Sequence, residues 1–379
     1  MTGRTAQEPD PVDPMLAAAT LACLPGMTPT RLRALFDHHG GPCAAFVAVQ
    51  RGGAHIALTA AELPRGGEAH RALARRWSDA IDVPGLRERL ARRGTRVWVD
   101  GTDDYPILDA VPDRPAVLLG EGDAPEVLRR PRVAVVGTRA ATPHGLADAR
   151  ELGAVLARSG VTVVSGLAIG VDGAAHEGAL AAGGGVVGVV ATGLDIVYPR
   201  RHRSLTERVR AAGVVLGEQG FGVGPRQGLF PVRNRIIAAL ADVVVVVEAT
   251  IGGGARITAQ FALEYGRTVM AVPGSRRNAA AAGTNALIAD GAHPLVDWGD
   301  VLVALGLSEA ATRHAIAPPP RPAPSPDAAA VLQALGGDCA TPDQLASRAQ
   351  LDVARTAVAI AELHRNGWVD RAQGAIWPR

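Results

Sequence analysis

The 379-residue chain contains no lysine, so all 39 of its cationic side chains are arginines. Without lysine it has neither the phosphate-binding lysine of a P-loop nor a Schiff-base nucleophile. Arginine offers instead a rigid, planar guanidinium group that binds phosphate in a bidentate way and stacks on bases. A biased genomic base composition explains the same absence equally well. With a formal net charge of only +2, an anionic partner has to meet a local basic patch rather than the field of the whole molecule.

Cysteines and long apolar runs are also scarce. Cys23, Cys43 and Cys339 are scattered, without a CxxC pair or nearby histidines, which argues against a metal site and against a disulfide framework. This use of cysteine is typical of a reducing compartment. No run of 18 apolar residues occurs, and the polar N-terminus lacks the pattern of a signal peptide. We therefore expect a soluble, cytoplasmic protein with no metal and no membrane contact.

Apolar positions at helical spacing from residue 14 to about residue 90 predict a helical N-terminal domain over residues 1–92. Its turn LPGMTP resembles the hairpin of helix-hairpin-helix modules, whose backbone amides contact DNA phosphates. A plain helical packing domain is the alternative.

From Arg132 onwards, apolar β-branched runs alternate with amphipathic helices. The six runs are RVAVVG, VTVVSG, GVVGVV, VVLGE, DVVVVVEA and TVMAVPG. Continuous valine-rich strands are typical of a parallel sheet that is buried on both faces. The pattern predicts an α/β fold over residues 93–306, a doubly wound, Rossmann-like and mostly parallel sheet. In such folds the ligand binds at the loops that follow the carboxyl ends of the strands.

Two further segments follow. Residues 307–327 are rich in proline and poor in large apolar residues, which predicts a semi-rigid linker. Residues 328–379 offer three helices and a terminal hairpin, the pattern of a winged-helix domain. The charges of its third helix, Asp352, Arg355, Glu362 and Arg365, are balanced, which is not typical of a strong reader of the major groove. A protein contact and a weak DNA contact fit this helix equally well.

Glycine, hydroxyl, amide or arginine groups follow each of the Val-rich strands. The candidate binding residues are Gly137, Thr138, Arg139, Ser165, Gly166, Gly170, Arg200, Arg201, Arg233, Asn234, Arg235, Gly253, Gly254 and Arg256. Glycine lets the backbone approach an anion, a helix N-terminus supplies free N–H groups, and arginine binds phosphate. Neither the loop after the second strand nor the loop after the third fits the dinucleotide fingerprint, so we expect no nucleotide cofactor. These loops lie along one edge of the sheet, which we call the rim. Binding groups spread along a rim fit a repeating polyanion better than one small phosphate.

Structural roles are the alternatives for several of these residues. One arginine of the RNR triplet pairs with Glu248 or Asp242 beneath the rim, Asp172 caps a helix, and His176 is a core residue rather than an acid or base. The glycines then serve only the close packing of helices on strands.

Seven blocks, in the same order, resemble the DNA-processing protein A family, also called the Smf family. They are GTRAATPHG, SGLAIGVDGAAHEGAL, ATGLDIVYPRRH, FPVRNRIIAAL, VVVEATIGGGARITAQFALEYGR, AVPG and GTNALIADGAHPL, and they span about residues 130 to 300. The resemblance implies a bacterial homodimer that binds single-stranded DNA, protects incoming strands and helps to load the RecA recombinase during natural transformation. It implies a mediator without strand chemistry, and it assigns DNA binding to the rim residues from Gly137 to Arg235.

The chain departs from this family pattern at the glycine loop. Where the family usually has Ser-Gly-Ser, this sequence has Gly253, Gly254 and Ala255, followed by Arg256. Two hydroxyl groups are lost, and the charge of Arg256 replaces them electrostatically. Thr138 stands where the family mostly has serine, which keeps the hydroxyl group. Because only 3% of the residues are aromatic, guanidinium groups and the backbone are expected to dominate over aromatic stacking.

Two other functions remain open. Nucleotide phosphoribohydrolases resemble the pattern PGGxGTxxE, but here Phe261 stands where the acid should fall and Glu264 lies one turn further on. The third possibility is a scaffold that meets its partners only through the winged helix.

Overall fold

The computed structural model describes residues 12–61, 66–107, 111–307, 322–336, 338–372 and 374–378. The chain divides into two compact units, the first ending at residue 316 and the second beginning at residue 317. Most of the predicted linker, residues 308–321, lies outside the described part. No described helix is long and apolar enough to cross a membrane.

Six helices precede the sheet: α1 (Pro14–Ala22), α2 (Pro29–His39), α3 (Pro42–Gln50), α4 (Ala54–Ala60), α5 (Glu68–Asp79) and α6 (Val83–Arg93). The side chains of Asp13, Thr28 and Asp82 cap α1, α2 and α6, each just before a proline in the first helical turn. In the LPGMTP turn, the buried indole of Trp77 donates a hydrogen bond to the Pro25 carbonyl at 3.0 Å. The turn is therefore packed against α5.

The first unit contains a nine-stranded sheet. Its strands are β1 (Arg96–Val99), β2 (Val117–Glu121), β3 (Arg132–Val136), β4 (Thr162–Ser165), β5 (Val186–Val190), β6 (Gly213–Gly217), β7 (Val243–Val246), β8 (Thr268–Ala271) and β9 (His293–Pro294). Their order is β1-β2-β6-β5-β4-β3-β7-β8-β9, and β3 to β9 are parallel. All six Val-rich runs form strands, which confirms the predicted fold class. The short edge strand β9 and the antiparallel pair β1 and β2 were not predicted.

Helices cover both faces of this sheet. They are α7 (Pro143–Arg158), α8 (Val171–Ala181), α9 (Arg203–Ala212), α10 (Leu229–Leu240), α11 (Gly254–Glu264), α12 (Ala282–Ala289) and α13 (Gly299–Ala304). Successive residues of a strand point to opposite faces. In β3, Val133 and Val135 accordingly join the core with α7 and α8, whereas Ala134 and Val136 join the core with α10 and α11.

The N-terminal helices share the first of these two cores. Apolar residues of α1 to α5 form one buried cluster with residues of α7, α8 and α9. At the sheet edge, the buried Glu121 carboxylate accepts from Arg93 at 2.6 Å and lies 3.2 Å from Arg210. These ion pairs join α6 and α9 to β2, so helices and sheet form a single compact unit.

The chain order places a switch point in the middle of the sheet. From β3 the chain moves through β4 and β5 to β6, and it then returns to the other side of β3 to form β7 and β8. The helices that follow β3 and β7, α7 and α11, leave on opposite faces. Their loops diverge at the carboxyl ends of the strands, where open α/β sheets form a ligand crevice.

The second unit is a winged helix, as predicted. It contains α14 (Pro326–Leu335), α15 (Pro342–Ala349), α16 (Val353–Arg365) and the antiparallel pair β10 (Val369–Ala372) and β11 (Ala375–Pro378). On α16, Arg355 pairs with Asp327 at 2.5 Å, and Glu362 accepts a hydrogen bond from the Ser325 hydroxyl at 2.6 Å. The Asp352 side chain caps the helix, so three of the four charges predicted for it are used within the unit.

Candidate functional site

An open cavity of about 650 Å³ lies at the switch point, between the loops after β3 and β7 and the first turns of α10. Half of the fourteen predicted binding residues line it, namely Gly137, Thr138, Arg139, Arg233, Asn234, Gly253 and Gly254. The cavity therefore collects groups that are more than 110 residues apart in the sequence.

Glu248 joins the two loops that diverge at the switch point. Its backbone carbonyl accepts from the Thr138 N–H at 2.7 Å. Its buried carboxylate accepts from the N–H of Thr142 at 2.8 Å and from the Thr142 hydroxyl at 2.6 Å. The side chain of Thr142 also caps α7. Glu248 is thus committed to the loop after β3 and is not the partner of an arginine of the RNR triplet.

Arg233 is built into the floor of the cavity. Its side chain is buried, and Nη1 donates to the carbonyls of Gly166, at 2.7 Å, and of Val189. Burial lowers the pKa of Arg233 to about 10, while the negative charge of Asp172 opposes that shift. The arginine therefore holds the loop after β4 against β5.

Asp172, in the first turn of α8, completes this floor. Its carboxylate accepts from the N–H groups of Gly166 at 3.1 Å and Ala168 at 3.4 Å, so it stabilises the preceding loop rather than capping its own helix. Burial raises its pKa, and the charge of Arg233 counteracts the shift. Ser165 lies deeper, fully buried, and its hydroxyl donates to the Val135 carbonyl at 2.6 Å.

Three of the predicted glycines stand where the backbone or a side chain comes too close for a Cβ. At Gly137 a Cβ would lie 2.5 Å from Val171, and at Gly170, whose φ is +85°, it would lie 2.3 Å from the Thr138 carbonyl. At Gly166 it would meet the guanidinium of Arg233. The packing of the fold therefore requires glycine at these three positions.

The exposed wall of the cavity is made of one arginine and two aromatic rings. The Arg139 guanidinium lies over the Phe230 ring, 5.0 Å from its centroid, and the rings of Phe230 and Tyr198 are 5.5 Å apart. Tyr198 is 42% exposed. Planar groups of this kind stack on bases. Sequence reasoning missed both rings because aromatic residues are rare, although FPVRNR and YPRRH were recognised as motifs.

The glycine loop borders the opposite side of the cavity. α11 begins at Gly254, and its N-cap, Gly253, has no side chain, so the N–H groups of Gly254 and Ala255 lack acceptors among the described residues. Around Gly254 no atom lies within 4 Å of the position of a Cβ. The Asn234 amide donates to the Gly254 carbonyl at 3.2 Å and orients the loop. These amides are well placed to bind an anion.

Arg256 lies outside this cavity. Its guanidinium donates to the Ile251 carbonyl at 2.9 Å, lies 3.5 Å from Asp290, and lines a second cavity of about 450 Å³. At the main cavity, Arg256 therefore does not replace the hydroxyls of the family's glycine loop.

Arg235 also points away from the cavity. It donates to both carboxylate oxygens of Glu218 at 2.7 Å and to the Asp113 carbonyl at 2.8 Å. Glu218 is buried, and burial raises the pKa of its carboxyl while the charge of Arg235 opposes the shift. The expected ion pair beneath the rim exists, but with this glutamate rather than with Glu248 or Asp242.

Three further arginines are exposed around the wall. Arg200 and Arg201 form a 3-10 helix after β5, and Arg226, which was not predicted, lines the cavity. Within the described ranges, none of these three has a carboxylate partner. They contribute free positive charge to the rim.

The two positions considered for the acid of a phosphoribohydrolase, Phe261 and Glu264, do not line this cavity. Phe261 packs against Tyr265, with 6.0 Å between the ring centroids. The exposed Glu264 accepts from Gln260 at 3.0 Å. His176 is fully buried in α8 and belongs to the core. No group of three or more potential metal ligands occurs among the residues that the structure describes.

Comparison with known proteins adds two family matches. The profile of DNA recombination-mediator protein A matches residues 96–306, and that of the DprA winged helix domain matches residues 315–375. Protein Smf of Synechocystis is 42% identical to this chain over 207 residues. The matched region covers 54% of this chain and 52% of that relative, so the chain spans about half of the relative's length.

Two solved structures share the fold of the first unit. DNA processing protein A from Streptococcus pneumoniae has a TM-score of 0.62 at 29% identity, covering 76% of this chain and 95% of that chain. DNA processing protein A from Helicobacter pylori, known for its unique single-stranded DNA binding mode, has a TM-score of 0.50 at 29% identity, covering 56% and 95%.

Proposed function

Because the chain belongs to the DNA recombination-mediator protein A family, we propose that it binds single-stranded DNA and acts as a recombination mediator. The observation that carries this proposal is the wall formed by Arg139, Phe230 and Tyr198 opposite the open N–H groups of Gly254 and Ala255. One side of the cavity offers planar groups for bases, and the other offers N–H donors for phosphate.

The exposed arginines extend this site along the rim. Arg139, Arg226 and the Arg200–Arg201 pair hold successive phosphates, so affinity falls with salt by a slope that reflects the number of contacts. The aromatic contribution is larger than the composition suggests, because Tyr198 and Phe230 lie together at the cavity.

Selectivity for single strands follows from the same wall. A base reaches the faces of Arg139 and Tyr198 only when it is not stacked and paired within a duplex. A duplex presents its phosphates to the rim but has to be opened to fill the cavity. We therefore expect single strands to bind more tightly than duplexes of the same length.

The wider role includes a partner and a second copy. As a mediator, the protein acts as a homodimer in the cytoplasm, covers incoming single strands during natural transformation and helps to load the RecA recombinase onto them. This role requires only binding and hand-over, and the protein performs no strand chemistry. The family match over both the sheet and the winged helix supports it.

Fluorescence anisotropy tests the DNA site directly. A labelled strand of about 30 nucleotides and its duplex are titrated with wild type, Arg139→Ala and the control Arg75→Ala over a salt series. Arg75 is an exposed arginine of α5 outside the cavity, so its variant loses the same charge elsewhere. We expect tight binding of the single strand, weakened in Arg139→Ala with a salt slope lower by about 0.7. Equal effects of the two variants would contradict the assignment.

Two assays test the remaining parts of the proposal. RecA filament formation on strands covered by single-strand-binding protein should be faster with wild type than with Arg139→Ala. Light scattering after gel filtration measures the oligomeric state. Release of free base from a nucleoside monophosphate would instead support the phosphoribohydrolase.

A further inference from the structure

The loop after β8 packs against the loop that borders the cavity. Gly283, in the first turn of α12, donates its N–H to the Ala249 carbonyl at 2.6 Å, and Ala249 lines the cavity. A Cβ on Gly283 would lie 2.5 Å from the Thr250 carbonyl. The segment from residue 272 to residue 283 is therefore a direct neighbour of the glycine loop on the same rim of the sheet.

Internal hydrogen bonds hold this loop in one conformation. The Asn285 side chain accepts from the Gly274 N–H at 3.1 Å and donates to the Gly274 carbonyl at 2.9 Å. The Asn278 N–H donates to the Ser275 carbonyl at 2.9 Å, which closes a turn. The side chain of Asn278 in turn accepts from the Ala280 N–H at 3.0 Å. A fixed turn places its side chains with little loss of conformational entropy on binding.

Two adjacent arginines, Arg276 and Arg277, lie in this turn. Both are exposed, and neither guanidinium group has a hydrogen-bond or carboxylate partner within the described ranges of the chain. The backbone N–H of Arg277 donates to the Ser275 hydroxyl at 3.3 Å, which leaves its guanidinium free. The turn therefore presents two positive charges to solvent.

The carboxylates near this rim do not neutralise those charges. Asp195 and Glu218 are paired with arginines, and Glu248 binds Thr142. The loop after β8, residues 272–281, contains no acidic residue. In a chain of net charge +2, the carboxyl ends of the strands thus carry an excess of unpaired positive charge.

We propose that Arg276 and Arg277 form a second contact site for the phosphodiester backbone of single-stranded DNA, separate from the base-binding cavity. The inference rests on the proposed function and extends it. β8 lies two strands from β3, so the ends of these two strands are about 10 Å apart along the rim. A strand held by the Arg139 wall crosses the glycine loop and reaches Arg276 and Arg277 within a few nucleotides. The site recognises phosphate and not base identity.

The test compares two double variants of the full chain. Arg276→Ala/Arg277→Ala removes the proposed contact, and Arg75→Ala/Arg76→Ala removes an adjacent exposed pair from α5. Binding of a labelled thymidine dinucleotide and of labelled oligothymidylate of about 30 nucleotides is measured by anisotropy over a salt series. Arg139→Ala is measured in parallel, and thermal unfolding checks that all variants fold.

We expect the Arg276/Arg277 variant to bind the long strand about tenfold more weakly, with a salt slope lower by about 1.4 for two lost contacts. Its affinity for the dinucleotide should fall much less, because a dinucleotide bound in the cavity is too short to reach Arg276 and Arg277 as well. The α5 variant should match wild type for both lengths. Unchanged binding of the long strand, combined with a loss in Arg139→Ala, would overturn this second site and leave the proposed function intact. Absence of binding by the wild type would overturn both.

Discussion

The guanidinium of Arg233 fills the space where a side chain at Gly166 would begin. A Cβ on Gly166 would lie 2.3 Å from Nη1 of Arg233, the atom that donates to the Gly166 and Val189 carbonyls. Arg233 can occupy this position only because residue 166 has no side chain, and residue 166 has to be glycine because Arg233 lies there. Arg233 therefore stabilises the buried floor of the cavity, whereas Arg139 is exposed at its wall.

Gly166→Ala should lower the free energy of unfolding by about 1–3 kcal/mol, the usual cost of overpacking, and weaken DNA binding as the floor shifts. Gly254→Ala is the control, because a Cβ there meets no atom within 4 Å. Urea unfolding of both variants measures the difference. Equal stabilities would mean that the space around Arg233 is not limiting.

Phe230→Leu should weaken binding of single strands by about 1–3 kcal/mol for the one base that stacks there, because the ring provides a face of the wall. The salt slope should stay at its wild-type value, since no charge is removed, in contrast to Arg139→Ala. The control is Phe261→Leu, a ring that packs against Tyr265 away from the cavity. Anisotropy at several salt concentrations gives both quantities. A reduced slope in Phe230→Leu would argue that the ring acts through the position of Arg139.

Arg235→Ala should destabilise the fold by about 3–5 kcal/mol, because it leaves Glu218 buried without a partner. Adding Glu218→Gln should restore much of that stability. The double variant should bind single strands as wild type does, since neither residue lines the cavity. A folded double variant that binds weakly would instead place Arg235 in contact with DNA.

His176 should make stability depend on pH. Burial, together with the positive charges of His202 and Arg233, lowers its pKa to about 3, while the backbone of Ser165 opposes the shift. Neither ring nitrogen has a hydrogen-bond partner of normal geometry among the described residues. In the unfolded chain His176 is protonated below about pH 6.5, whereas in the folded chain it is protonated only below about pH 3. The free energy of unfolding therefore decreases as the pH falls from 6.5 to 3.

Between pH 7 and pH 5 this histidine should cost about 2 kcal/mol of stability. Urea unfolding of wild type and His176→Gln at both pH values measures the difference. The variant should lose less stability on acidification than wild type does. The same loss in both proteins would assign the pH dependence to other groups. Asp172 is not among them, because its raised pKa makes the fold more stable as the pH falls.

The order of elements was determined by the sequence itself. Six valine runs, separated by helical periodicity, became six strands, because burial on both faces of a sheet requires an unbroken apolar run. The rim followed from the same pattern, since the carboxyl ends of parallel strands lie at one edge. The strands β1, β2 and β9 were not predicted, because short edge strands leave little pattern in the sequence. Strand β2 is defined by its pairing with β6.

Only the tertiary structure decided which rim residues face the ligand. Arg139 and Arg233 are both arginines after a Val-rich strand, yet one is exposed over Phe230 and the other is buried against Gly166. Tyr198 and Phe230 lie 32 positions apart and meet only because the loop after β5 and the start of α10 reach the same cavity. The burial and pairing of a side chain depend on carbonyls, carboxylates and rings supplied by distant segments. Local sequence determines the strand, and the packing of distant segments determines whether its arginine is buried in the fold or exposed at the cavity.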